Sequence, residues 1–156
     1  MEELVVNWEN QLWILLDIFI AVLLSAAIGQ EREHHDKPAG LRTNMIVAGA
    51  TCFFVSISTS INTFFVEASL GGNVNIDTDP IRVLQAILIG ISFIGAGTIL
   101  KSEDGEKIRY LTTAATLLFS SSVGVAVALH AYILATGLAI ISIIINLLIK
   151  KMVGLF

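Results

Sequence analysis

Five apolar runs, at 11–29, 43–66, 83–100, 111–129 and 131–149, take up most of this chain. Each is close to the roughly 20 helical residues that cross the hydrocarbon core of a bilayer. Backbone in contact with lipid must satisfy its hydrogen bonds internally, so these runs are predicted to be α-helices. Charged residues make up only 14% of the 156-residue chain. A soluble domain carries about 25%, and fewer cannot cover a water-exposed surface. Mean hydropathy of +0.83 points the same way. The expected fold is an all-α integral membrane protein, one transmembrane domain over 1–156 with no separate soluble domain. His130 alone separates the last two runs. As a single helix, 111–149 would be about 60 Å long, nearly twice the thickness of the core. The chain is therefore expected to fold back near 128–132, giving five spans.

The basic residues sort onto one side of that plan. Arg32, Lys37 and Arg42 lie between spans one and two, Lys101, Lys107 and Arg109 between three and four, and Lys150 and Lys151 after five. Arg82 is the exception, beside Glu67, Asp77 and Asp79, and the first ten residues hold Glu2, Glu3 and Glu9 without a base. The positive-inside rule then puts the N-terminus outside and the C-terminus in the cytoplasm. Trp8 and Trp13 suit interfacial anchors at the start of span one. The missing basic n-region argues against a cleaved signal peptide. Helical spans place this multi-pass chain in an inner, cytoplasmic-type membrane rather than in an outer membrane as a barrel. No basic face suits nucleic acid, and the lone Cys52 offers neither a disulfide nor a thiolate metal site.

Asp17 is an acid inside a span. An ionised carboxylate at mid-bilayer costs about 2.5–3.5 kcal/mol on insertion scales, so a partner is expected. Asp17, Ala21, Ser25 and Gly29 recur every fourth residue as a narrow stripe of polar and small side chains. Arg82, Ala86, Gly90, Phe93 and Gly97 form a similar stripe in span three. Spans one and three are expected to pack through these stripes, with Asp17 paired to Arg82. The alternative sends Arg82 to the headgroups and leaves Asp17 to water or another subunit. Hydroxyls gather in spans two and four, where Thr113, Thr116 and Ser120 share a face. Such a face can replace the hydration shell of a permeating ion, or it can bridge helices and bond its own carbonyls.

The densest polar chemistry is in "GQEREHHDKPAGLRT", residues 29–43. Glu31, Arg32 and Glu33 finish span one, and Pro38 and Gly40 fit positions i+1 and i+3 of a type I turn. Thr43 or Asp36 is placed to cap the returning helix, with Arg42 expected beside Arg32 and close to Glu31. The second turn, "LKSEDGEKIRYLTTAAT", repeats the plan with Arg109, Thr112 and Thr113. A merely solvated turn would also be charged. His34 and His35 lack the i, i+4 spacing of a zinc helix. Glu31 and Glu33 alone do not define a magnesium site. No metal or cofactor is expected, and no nucleophile–base arrangement points to an enzyme.

Three stretches, "IGQEREHHDKPAGLRTNMIV", "IRVLQAILIGISFIGAGTIL" and "IRYLTTAATLLFSSSVGVA", resemble in order and spacing the signature blocks of the MgtC/SapB membrane protein family. The resemblance implies a five-helix bacterial inner-membrane protein with its C-terminus inside. It also implies a role in adaptation to low magnesium, acid or the host phagosome, a link to virulence, and a membrane partner such as the ATP synthase. Carried over by motif, the implied functional positions are Glu31, Arg32, Lys37, Pro38, Gly40, Leu41, Arg42 and Thr43. In the later blocks they are Arg82, Gln85, Gly90, Gly95, Gly97, Thr112, Thr113 and Thr116. Ser92 stands where the family usually has glycine, and Thr112 and Phe119 replace an asparagine and a cysteine of its longer members. Those members continue into a soluble domain, so this sequence resembles the short, SapB-like kind.

Two functions follow as expectations. One is a regulatory protein acting through a cytoplasmic polar site built from the first- and second-turn residues. The other is a transporter or channel for a small ion or polar solute. Five short helices leave little room for a path in one subunit, so transport would favour a homo-oligomer, a dimer first. The orientation has a direct test: a cysteine placed at His35 should escape impermeant thiol reagents in intact cells and react after permeabilisation.

Overall fold

The computed structural model describes residues 8–70, 80–101 and 108–153. Glu2, Glu3, Asp77, Asp79 and the 103–107 charge run lie outside the described residues. Five helices carry the chain: α1 (Trp8–Glu33), α2 (Leu41–Leu70), α3 (Pro80–Thr98), α4 (Leu111–Ala128) and α5 (Tyr132–Val153). By length and composition, α1 to α4 are each able to cross a membrane, and α5 is apolar over Tyr132–Leu148. Each helix coincides with one of the expected runs. α1 continues through the charged residues up to Glu33 because Gln, Glu and Arg are good helix formers once the chain has left lipid. α3 stops short of its expected end. There β1 (Leu100–Lys101) pairs antiparallel with β2 (Ile108–Arg109), in the register Leu100 to Arg109 and Lys101 to Ile108. Strands of two residues carry no readable periodicity, so the sequence offered no sign of this ribbon.

Two helices end in the same way. After α1, Asp36 adopts φ 51°; its N–H reaches the Glu33 carbonyl at 3.1 Å, and the Lys37 N–H reaches that of Arg32 at 3.2 Å. After α4, His130 adopts φ 55°; its N–H bonds Val127 at 2.8 Å, and the Ala131 N–H bonds Ala126 at 2.9 Å. This paired pattern satisfies the last carbonyls of a helix and usually places glycine at the left-handed position. Asp and His enter that region more readily than most side chains. The fold-back expected at 128–132 is thus made without Gly or Pro, by backbone bonding alone.

The bundle is apolar outside and largely small or polar inside, with a few branched aliphatics such as Ile28, Leu117 and Val123 among the buried side chains. Ile133 is 92% exposed and Phe93 81%, while Ala21, Ser25, Ala48, Cys52 and Ala135 are fully buried. Lipid supplies no hydrophobic drive between helices, so close backbone approach has to supply the contact energy, and small residues permit it. α1 packs against α2, α4 and α5, whereas α3 lies on the flank against α4 and α2. The expected interface between spans one and three does not form to any substantial extent. The α1 stripe is buried, but it faces the other helices. On α3, a Cβ added at Gly90 or Gly97 would meet nothing within 4 Å, and only Gly95 is in contact, against Ala114.

Gly124 marks the closest approach of α4 to α2. A Cβ there would run into the Ala48 carbonyl and stand 3.0 Å from Thr51 Cβ. Backbone cannot retreat as a flexible side chain can. Gly124→Ala should therefore lower unfolding stability by about 1–3 kcal/mol. Gly90→Ala should leave it unchanged or slightly raised, and thermal unfolding in detergent compares the two.

Candidate functional site

The charged turn folds back over the end of α1. A Cβ at Gly29 would stand 2.7 Å from the Leu41 Cα, so only glycine lets the returning chain pass this close. Arg32 is 5% exposed, and its Nε donates to Glu31 Oε2 at 2.8 Å. His35 Nδ1 donates to the Glu31 carbonyl at 2.7 Å and lies 3.2 Å from Glu31 Oε1. His34 Nδ1 donates to the Gln30 carbonyl at 2.9 Å. A carbonyl can only accept, which assigns the proton to Nδ1 in both rings. The two histidines thus close carbonyls at the end of α1. Glu33 Oε2 accepts the Leu41 N–H at 2.8 Å. It takes over the capping role expected of Thr43 or Asp36, because a carboxylate reaching across the turn is already in place over Gly40.

Just inside this turn, Asn44 is fully buried. Its Nδ2 donates to the carbonyls of Gly40 at 2.8 Å and Ala39 at 3.1 Å, and its Oδ1 accepts the Ser120 hydroxyl at 2.7 Å. Its own backbone carbonyl accepts the Ser25 hydroxyl at 2.8 Å. One residue therefore joins the turn, α1 and α4. Deeper in the bundle, Thr51 and Ser121 share a hydrogen bond of 3.2 Å between α2 and α4. Thr116 bonds the Thr112 carbonyl and Ser122 that of Leu118, each within its own helix. The Thr113 hydroxyl is buried without a partner among the described residues.

Asp17 occupies the opposite end, about 21 Å along α1 from Glu31 at the helical rise. It is buried, and its Oδ1 accepts the Tyr132 hydroxyl at 2.8 Å. His130 Nδ1 lies 3.4 Å from Asp17 Oδ2 and 3.0 Å from the Tyr132 oxygen. The expected pairing with Arg82 is replaced by this one. Arg82 rides on the flanking α3, whereas the α4–α5 turn brings two donors directly over α1.

The structure gathers Glu31, Arg32 and Gly40 around His35 and Glu33, with Asn44 beneath. It leaves Pro38, Arg42, Arg109 and Thr112 exposed, with Lys37 and Thr43 half-buried. No polar contact among the described residues ties Arg42 or Arg109 to Glu31 or Arg32, so these two arginines do not join that pair. Thr113 and Thr116 are buried in α4, and Gln85 is exposed on α3. Sequence reasoning missed Asn44 and the roles of Ser25 and Ser120. A primary amide one turn inside an apolar run was the signal available.

Comparison with known proteins places this architecture. The chain matches the MgtC family over residues 18–155. It is 36% identical over 138 residues to Protein MgtC of Salmonella typhimurium, covering 88% of this chain and 52% of that protein. Protein SapB of Bacillus subtilis is 33% identical over 123 residues, 79% of this chain and 50% of that one. Protein MgtC of Brucella abortus is 41% identical over 105 residues, 67% of this chain and 38% of the relative. The chain thus spans about half the length of the MgtC and SapB relatives it matches. No solved structure matches it.

The matched stretch includes Ser25, Asn44 and Ser120. Removing the Asn44 amide strands the Ser120 hydroxyl and frees the buried Ala39 carbonyl, while the Gly40 carbonyl keeps the Asn44 backbone N–H; the cost is about 1–3 kcal/mol for a buried unsatisfied group. Asn44→Ala should destabilise the bundle by that order. Combined with Ser120→Ala it should cost less than the two single changes added, and a double-mutant cycle on unfolding midpoints measures the difference.

Proposed function

The chain belongs to the MgtC family, and from that premise we propose that it is a regulatory protein of the bacterial inner membrane. It serves adaptation to low magnesium, acid or host stress through the polar turn that joins α1 to α2. The use of the interior hydroxyls carries this reading. Thr51, Ser121 and Ser120 bond other side chains, and Thr116 bonds its own helix. Groups engaged in this way clamp helices together rather than exchange with a moving ion. The buried Arg32–Glu31 pair and the Glu33 cap instead hold the turn rigid, presenting exposed Arg42 to a partner. The sorting of the basic residues supports a cytoplasmic position for this face, where a membrane complex such as the ATP synthase is a candidate partner. The uncovered Gly90 and Gly97 face of α3 supports a homodimer as the assembly.

Transport of a small ion or polar solute is the second reading. It is favoured by Asp17 and by the buried Thr113 hydroxyl, which has no partner among the described residues. Reconstituted liposomes separate the two. Regulation predicts no flux above protein-free vesicles and a co-purifying membrane partner that Arg42→Ala releases. Flux that is lost in both Arg42→Ala and Asp17→Asn would establish transport and remove the regulatory reading.

A further inference from the structure

Between α2 and the flanking α3 runs a groove of about 570 Å³. Only two of its lining side chains are polar, Thr51 and Arg82. Thr51 shares its hydrogen bond with Ser121 on α4, which leaves Arg82 as the one polar end of the lining. Along α3 the groove extends from Arg82 to Ile94, about 18 Å at the helical rise. Small residues such as Ala50, Ala86 and Gly90 would let two membrane helices close up. Here they do not, because a Cβ added at Gly90 would meet nothing within 4 Å. Ile46, Phe54 and Ile94 are exposed beside them, so the groove opens on the outer surface of the bundle.

Both helices are long and apolar enough to cross a membrane, which puts this surface in hydrocarbon. Water would find no polar partners along such a lining, and lining atoms without a neighbour forfeit dispersion contacts. The fitting occupant is therefore apolar, thin and about 18 Å long. A helix from another chain is about 10–12 Å across and over this length would displace roughly 1,400 Å³. That is more than twice the volume of the groove. An acyl chain is the narrow apolar rod that a bilayer supplies. The groove is also about as long as the hydrocarbon of one leaflet is deep, half of roughly 30 Å.

We propose that the groove between α2 and α3 is a phospholipid site, with one acyl chain lying along it and the lipid phosphate bound by Arg82. The charges are complementary, and a planar guanidinium matches the oxygens of a phosphate. Arg82 already has an interaction within the protein, but a guanidinium carries five N–H donors, so one engagement does not exhaust it. It is exposed in the first turn of α3, where a long cationic side chain reaches the headgroups. At the other end Ile46 and Ile94 offer nothing polar, so the lining admits a single orientation of the lipid. Phe93 and Gly97 lie outside the lining and stay available to a second copy. The site uses no residue of the first turn, so it stands or falls separately from the regulatory reading.

The test is native mass spectrometry of the full chain, freed of lipid in detergent and titrated with dioleoylphosphatidylglycerol. A single lipid should bind each chain saturably. Dioleoylglycerol, which has the same chains and no phosphate, should bind about tenfold more weakly, as expected for losing a charge-assisted bond. Arg82→Gln should weaken the phospholipid by about the same factor and leave dioleoylglycerol unchanged. Gly90→Phe should abolish binding of both, since the open space around a Cβ there lets the ring fill the groove without displacing the bundle. If that variant does not fold, Ala86→Phe takes its place. Ile89→Phe, at a position 71% exposed and outside the lining, should bind as the unchanged chain does. No saturable binding, equal affinity for the two lipids, or unchanged affinity in Arg82→Gln or in the folded groove-filling variant would overturn the proposal. So would a dimer that forms in place of the lipid adduct and is lost in Gly90→Phe, which would give the groove to a second copy.

Discussion

A polar atom buried inside a lipid-facing bundle can turn only to another protein atom, and Asn44 is where that constraint is tightest. Its amide has donors and an acceptor to satisfy, and each finds a partner: the carbonyls of Ala39 and Gly40 on one side, the Ser120 hydroxyl on the other. In water such bonds would trade against solvent at little net gain. Away from water, a missing partner is a full loss. The arrangement consequently fixes more than one contact. It sets how far α2 stands from α4 and how the turn from α1 lies over both.

Close approach makes the network possible. Gly29 lets the chain return within reach of α1, and Gly124 lets α4 lie directly against α2 at Ala48. Between these glycines the interior is rich in Ala, Ser, Thr and Cys, with Val and the bulkier Ile28 and Leu117 among them, while most of the large aliphatic and aromatic side chains face outward. The two ends of the bundle then divide the polar work. At one end the charges are satisfied locally, Arg32 by its neighbour Glu31 and the helix carbonyls by His34 and His35. At the other, Asp17 depends on residues that are remote in sequence.

That division explains what was legible in the sequence. Span length and apolarity are local properties, so five helices and the fold-back at His130 could be read directly. The stripe from Asp17 to Gly29 was legible as a buried face, but periodicity names a face and not its neighbour. α1 consequently proved to pack on α2, α4 and α5 and not on α3. Opposite charge made Arg82 the expected partner of Asp17. A neutral phenol supplied the hydrogen bond instead, from a helix whose position no pairwise reading fixes. The signature blocks marked the first turn as a site, yet the charged residues drew the eye away from Asn44, the uncharged one that holds the turn in place. The two-residue ribbon had no pattern to reveal it.

The link between Asp17 and Tyr132 spans 115 positions of the chain. A polypeptide made from its N-terminus delivers the acid to the membrane first and its donor last. Through the arrival of α2, α3 and α4 the carboxylate is without the phenol that will hold it. During that interval it must stay near the aqueous boundary or carry a proton, since a bare charge is costly in the hydrocarbon. Biogenesis therefore contains a waiting period, ended when the fifth helix docks, and an unfinished chain is chemically distinguishable from a complete one at this single side chain.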